Sequence, residues 1–148
     1  MTGAGAGPIH ATAVATRIAG DWRGVLLTGT SGAGKSDLAL RLIEEGWRLI
    51  GDDYVHVWRS DGCVFATAPD RIAGRIEARG LGIVDTPSRW ISRIALLVAC
   101  GQATTERLPE ADHAEIAGVR LPRLTLDIRP ASATRTLALA LAQTVRKV

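Results

Sequence analysis

The chain has 148 residues, 47% hydrophobic and 22% charged, which fits a single globular domain over residues 1–148 with a core of its own. Lysine and arginine exceed aspartate and glutamate by a net +3, but the arginines are scattered among acids, so nothing reads as a nucleic-acid footprint. No apolar run approaches the roughly 18 residues of a membrane span, and the first residues lack a signal peptide's basic and apolar parts, so no membrane association and a cytoplasmic place are expected.

In chain order, Met1 to Pro8 is Gly/Ala-rich and expected to be frayed. Ile9 to Ile18 carries β-branched residues at several positions and predicts one strand. Gly20-Asp21 reads as a turn, and Gly24 opens an apolar strand through Thr28. Ser36 to Glu45 has helical spacing and stops at Gly46. Trp47 to Ile50 is a short strand ending at Gly51-Asp52-Asp53. Tyr54 to Trp58 and Cys63 to Ala68 flank the hairpin signal Ser60-Asp61-Gly62, and Pro69-Asp70 breaks the pattern. Gly74 to Asp85 is strand-like but interrupted by glycines, a sign of close backbone approach.

Ile91 to Ala99 predicts a buried strand, and Gly101 to Asp112 a polar loop. Two further strands, His113 to Arg120 and Arg123 to Ile128, are expected on either side of Leu121-Pro122. Ser132 is the N-cap expected for a C-terminal helix ending near Arg146. Cys63 and Cys100 stand 37 positions apart without zinc spacing and read as two buried thiols. Two helices against about eight strands do not alternate as repeated βαβ units would. The fold class expected is α/β, mixed and β-rich.

One stretch organises the rest. Gly29-Thr30-Ser31-Gly32-Ala33-Gly34-Lys35-Ser36 reads G-x-x-x-x-G-K-S, the P-loop (Walker A) pattern, with a strand before it and a helix after it. Backbone N–H groups at such a junction, together with the helix dipole, favour phosphate. Lys35 is placed to reach β- and γ-phosphates and the Ser36 hydroxyl to bind Mg²⁺. The chain has only two lysines, Lys35 and Lys147, so the ammonium at this position stands out. Asp52 and Asp53 follow a short strand, 17 and 18 positions after Lys35, where P-loop enzymes keep an acid against Mg²⁺. Neighbours at a strand end point apart, so one acid can face the metal and the other an incoming hydroxyl. Glu77 is a third acid, inside the glycine-rich segment.

Together these residues resemble the bacterial HPr kinase/phosphorylase family. The resemblance rests on Gly29 to Ser36, on Gly46-x-x-Leu49-Ile50-x-Asp52-Asp53 and on Glu77-x-Arg79-Gly80-Leu81-Gly82-Ile83, and it is clear from Ile9 to Pro87. It implies a nucleotide-binding core similar to that of phosphoenolpyruvate carboxykinase. It implies transfer of the ATP γ-phosphate to a serine of HPr, a phosphocarrier of the sugar phosphotransferase system; many members also reverse this by phosphorolysis. By the same resemblance Asp52 looks like the base, Ser36, Asp53 and Glu77 like the Mg²⁺ neighbourhood, His10 like the active-site histidine, and Arg107 like the arginine of a mobile loop. The chain reads as a short form without the family's N-terminal domain. Pro130-Ala131-Ser132-Ala133 stands where a Pro-x-x-x-Gly-Arg-Asn segment is usual. A homo-oligomer is expected, the hexamer being the family's own assembly. Two other readings remain at this point: a small-molecule P-loop kinase, and a nucleotide-binding regulatory module without catalysis.

Overall fold

The computed structural model describes residues 7–101 and 112–146. A ten-residue strand is its axis: β9, Ile91–Cys100, pairs antiparallel with β6 (Cys63–Thr67) through Ile91 to Ile94 and parallel with β11 (Val119–Leu126) through Leu97 to Cys100. β3 (Asp21–Thr28) also runs parallel to β9. The nine-stranded sheet continues from β3 to β2 (Thr12–Ile18) and β4 (Arg48–Gly51), and from β6 to β5 (Tyr54–Ser60) and β1 (Gly7–His10), while β10 (Asp112–Ile116) pairs with β11. A separate two-stranded hairpin is formed by β7 (Arg75–Ala78) and β8 (Gly82–Asp85).

The sequence explains both cores. Alternate residues of a strand face opposite sides, so Val25 and Leu27 of β3 enter one core and Leu26 the other. The first core packs against α1 (Lys35–Glu44), through Leu38 and Leu42, and α2 (Ala133–Arg146), through Leu137 and Leu141. Each of these buried leucines stabilises by about 1.5–3 kcal/mol relative to exposure. The second core is built from the strands, with Val55, Val57, Val64 and Ala66 meeting Ile94 and Leu97. α1 ends in a Schellman pattern: Gly46, at φ +100, donates its N–H to the Ile43 carbonyl at 3.0 Å, and Trp47 donates to Leu42 at 3.1 Å.

Four expectations need correction. The stretch Ile9 to Ile18 is two strands, because the Ala11 N–H leaves the ladder to donate to the Asp53 carbonyl at 3.0 Å. Gly7 and Pro8 are not frayed but pair with Val57 and His56, on an edge strand that tolerates proline. Leu121-Pro122 does not separate two strands. The turn is Ala117-Gly118, both at positive φ, and Pro122 lies where β11 pairs with β10 alone, before its pairing with β9 begins at Arg123. Cys63 is half-buried, and only Cys100 is fully buried. Among the described residues no helix is long and apolar enough to cross a membrane.

Candidate active site

The site forms where β3 runs into α1. Gly29 closes under β9: it sits at φ +148, and a Cβ there would lie 2.7 Å from the Cys100 carbonyl oxygen. Gly34 enters α1 in a left-handed conformation at φ +99, and α1 has no side-chain cap on its first turn. The leading N–H groups of a helix without such a cap are available to an anion. Lys35 is buried and folds back over the loop, its Nζ donating to the carbonyls of Gly29 at 2.7 Å and Thr30 at 3.1 Å. An ammonium has three donors, so one remains for a phosphate oxygen. Burial pushes the Cys100 thiol up to about 12, against the opposing effect of the Lys35 charge, so the sulfur beneath the loop stays protonated.

Asp52 is buried and fully engaged. Its Oδ1 accepts from Ser36 Oγ at 2.8 Å and from Thr12 Oγ1 at 2.9 Å, and its Oδ2 accepts from the Glu77 backbone N–H at 3.1 Å. The next residue differs in every respect. Asp53 sits at φ +71, a left-handed conformation that aspartate tolerates better than most residues, and its side chain is 65% exposed. Its Oδ1 lies 3.0 Å from His10 Nε2, and the His10 ring lies 5.3 Å from that of Tyr54.

The structure thus brings Lys35, Ser36, Asp52, Asp53 and His10 to one place. Glu77 reaches Asp52 by its backbone, while its side chain is exposed. Arg107 lies outside the described residues. Sequence reasoning missed Thr12, whose hydroxyl fixes the Asp52 carboxylate; inside a β-branched run it looked only like a strand former. It also missed Arg41 of α1, which donates to the carbonyls of Ile128 at 2.6 Å and Pro130 at 3.1 Å. That pair ties the connection after β11 to the helix, and Ile128 Cδ1 comes within 3.7 Å of where a Cβ on Gly34 would stand.

The donor set suits Mg²⁺. Ser36 Oγ and the Asp52 carboxylate are hard oxygen ligands side by side, and Mg²⁺ commonly takes one or two such ligands and completes its shell with phosphate and water. No cluster of three or more His, Cys, Asp or Glu able to hold a metal alone occurs among the described residues.

Comparison with known proteins bears on what this geometry serves. The family model described as "HPr Serine kinase C-terminal domain" matches residues 9–147. An HPr kinase/phosphorylase of Clostridium novyi (strain NT) is 37% identical over 119 residues, 72% of this chain and 39% of that protein. One from Azoarcus sp. (strain BH72) is 39% identical over 137 residues, 83% of this chain and 43% of that protein. The chain therefore spans about two fifths of the length of these curated relatives. The structure of the Hpr(Ser) kinase/phosphatase from Coxiella burnetii superposes with a TM-score of 0.74 over 95% of both chains at 24% identity, which is a likeness of fold. The mixed, sheet-dominated α/β class is the one expected.

Proposed function

The chain belongs to the HPr serine kinase C-terminal domain family, and we propose that it transfers the γ-phosphoryl group of ATP to a serine of an HPr-type phosphocarrier protein. Gly29 to Ser36 act as the P-loop, on a core of the phosphoenolpyruvate carboxykinase type. The observation that carries the reading is the split between two adjacent aspartates. One is locked to the hydroxyl expected on the metal, the other open to solvent and paired with a histidine.

That split supports a division of roles. Asp52 shares its carboxylate with Ser36, so these two would hold Mg²⁺, which supplies charge neutralisation on the transferring phosphate. Asp53 is the base, exchanging the roles that the family resemblance implied for the pair. Its exposed carboxylate takes the proton of the incoming serine hydroxyl as that oxygen bonds to the γ-phosphorus. The bond from the γ-phosphorus to the bridging oxygen breaks, and ADP leaves with the electron pair. His10 holds Asp53 in place and, when protonated, stabilises its charge. Lys35 and the N–H groups at the start of α1 bind the phosphate oxygens before and during transfer. In the reverse direction Asp53 returns the proton to the serine oxygen.

An exposed base also favours a protein acceptor over a metabolite. A small-molecule kinase excludes water by closing over its substrate. At this site a protein surface would do the shielding. The test is incubation with γ-labelled ATP, Mg²⁺ and HPr, followed by mass spectrometric mapping of the label. Label on an HPr serine is the expected result. Rapid ATP consumption with a sugar or nucleoside acceptor and unmodified HPr would overturn it in favour of the small-molecule kinase.

A further inference from the structure

Outside the phosphate loop, a cleft of about 190 Å³ is lined by Ile50, Ala68, Ala73 and Gly74 together with Ser88, Arg89 and Trp90. That is roughly the space of six waters at ~30 Å³ each. Arg89 is fixed by its backbone: its N–H donates to the Leu49 carbonyl at 2.8 Å, and Leu49 donates back to the Pro87 carbonyl at 2.9 Å. The guanidinium lies over the Trp22 ring, 4.7 Å from its centroid. Its Nε is buried and, among the described residues, has no hydrogen-bond partner. A buried charged donor without an acceptor is costly and uncommon. Asp52 is not its partner: that carboxylate's oxygens are held by Ser36, Thr12 and Glu77. A carboxylate or phosphate group is the partner whose geometry a guanidinium fork matches.

We propose that this cleft binds a small organic anion, its carboxylate or phosphate group on Arg89 and its short apolar body against Ile50, Ala68 and Ala73. The position makes it an effector site. Ile50 lies on β4, two residues before Asp52, and Ala68 Cβ comes within 3.0 Å of where a Cβ on Gly51 would stand. Gly74 roots the β7–β8 hairpin, accepting from the Thr86 N–H at 3.0 Å, and that hairpin carries the Glu77 N–H onto Asp52. An anion in the cleft therefore holds together two elements that frame the Asp52 carboxylate. The effect on phosphoryl transfer rests on the function proposed above; the binding does not.

The test is a ¹⁵N-correlated NMR titration of the full chain with propionate, propylphosphonate and neutral 1-propanol. Saturable shifts of Gly74, Ser88, the Arg89 Nε–H and the Trp90 indole N–H are expected with at least one anion and not with 1-propanol. The head group that binds tells a carboxylate from a phosphate ligand. The shifts should persist in Lys35→Ala, which removes phosphate binding at the loop, and vanish in Arg89→Gln. Should Arg89→Gln fail to fold, Arg89→Lys, which keeps the charge without the fork, is expected to bind about tenfold more weakly. No saturable shift with either anion, shifts confined to Gly29–Ser36, or binding undiminished in these Arg89 variants would overturn the site. Binding that leaves the rate of HPr phosphorylation unchanged would overturn its role as an effector.

Discussion

Ser36 Oγ donates to Asp52 Oδ1 across 2.8 Å, joining the first turn of α1 to the residue that follows β4. These two oxygens are the ones that would hold a Mg²⁺ ion at this point. Ser36→Ala removes one ligand but leaves Asp52 held by Thr12 and Glu77, so the fold should survive. Mg²⁺-dependent ATP affinity is expected to fall about tenfold, and Lys35→Ala, which removes a charged donor, should cost about a hundredfold. Calorimetric titration with ATP, with and without Mg²⁺, checks both; unchanged affinity in the two variants would remove the phosphate-loop assignment.

The two aspartates should fail in different ways. Asp53→Asn keeps the shape of an exposed side chain but cannot take a proton. Transfer to HPr should drop by roughly a hundred- to ten-thousand-fold, with nucleotide binding retained. Asp52→Asn should instead weaken Mg²⁺-dependent binding and destabilise the fold, because a buried amide cannot accept from all three of its donors. Single-turnover rates beside ATP affinities separate the cases. The opposite pattern, with Asp52→Asn binding normally and transferring nothing, restores the roles that the family resemblance implied.

What was legible in the sequence was mostly local. Gly29 to Ser36 could be read because its strand, glycines, lysine and helix are contiguous, and Gly46 announced the end of α1 through its own backbone needs. The adjacency of Asp52 and Asp53 was visible, but not which of them is buried. That is decided by Thr12 arriving from β2, 40 positions away, and His10 from the end of β1, 43 positions away. Pro122 misled because a proline inside a run reads as a break, whereas β11 has only one partner strand at that point. The Ala117-Gly118 turn carried a signal, a glycine following a strand-like run, that the proline outweighed. Arg41 gave no signal, since a helix-surface arginine next to a one-turn acid looks like an ordinary solvated pair.

The two cysteines should behave as chemically distinct. Burial raises the Cys100 thiol to about 12, so almost no thiolate exists there at pH 8, and the atom is shielded by the loop above it. Cys63 is half-buried at a strand end. Brief iodoacetamide treatment of the native protein, followed by peptide mass spectrometry, should find Cys63 modified and Cys100 spared. Labelling of Cys100 at the Cys63 rate would mean that the Gly29 loop opens readily. Saturating Mg·ATP should slow any residual Cys100 labelling further.

Asp127 and Arg129 give a pH dependence with a definite sign. The Arg129 guanidinium, with added help from its backbone N–H, holds the Asp127 carboxyl down to about 2 from its ordinary 3.8. A depressed pKa in the folded state means that the ionised group favours folding. Its contribution is present above pH 3.8 and is lost as pH falls toward 2. A carboxyl ¹³C titration should find Asp127 at the low end of that range. Arg129→Gln should return it to the ordinary value and flatten that part of the acid-side loss in urea midpoint. An unchanged Asp127 titration in Arg129→Gln would show that the pair does not form in solution.

Arg41 binds three groups at once: the Ile128 carbonyl at 2.6 Å, the Pro130 carbonyl at 3.1 Å and the Asp37 carboxylate at 3.2 Å. The Asp37 pair is a partly exposed contact one helical turn away and contributes little on its own. The carbonyl contacts matter more, because they anchor the connection between β11 and α2 beside Gly34. Arg41→Ala should destabilise the protein by about 1–2 kcal/mol, discounted for partial exposure from the usual range for hydrogen bonds to a charged group. It should also weaken ATP binding modestly by loosening Ile128 at the mouth of the loop. Lysine is a point charge without the planar fork, so Arg41→Lys should recover less than half of the lost stability. Urea unfolding of the three proteins, read beside their ATP affinities, checks this. If Arg41→Lys matches the original chain in both measurements, charge alone suffices and the fork has no role in holding the connection.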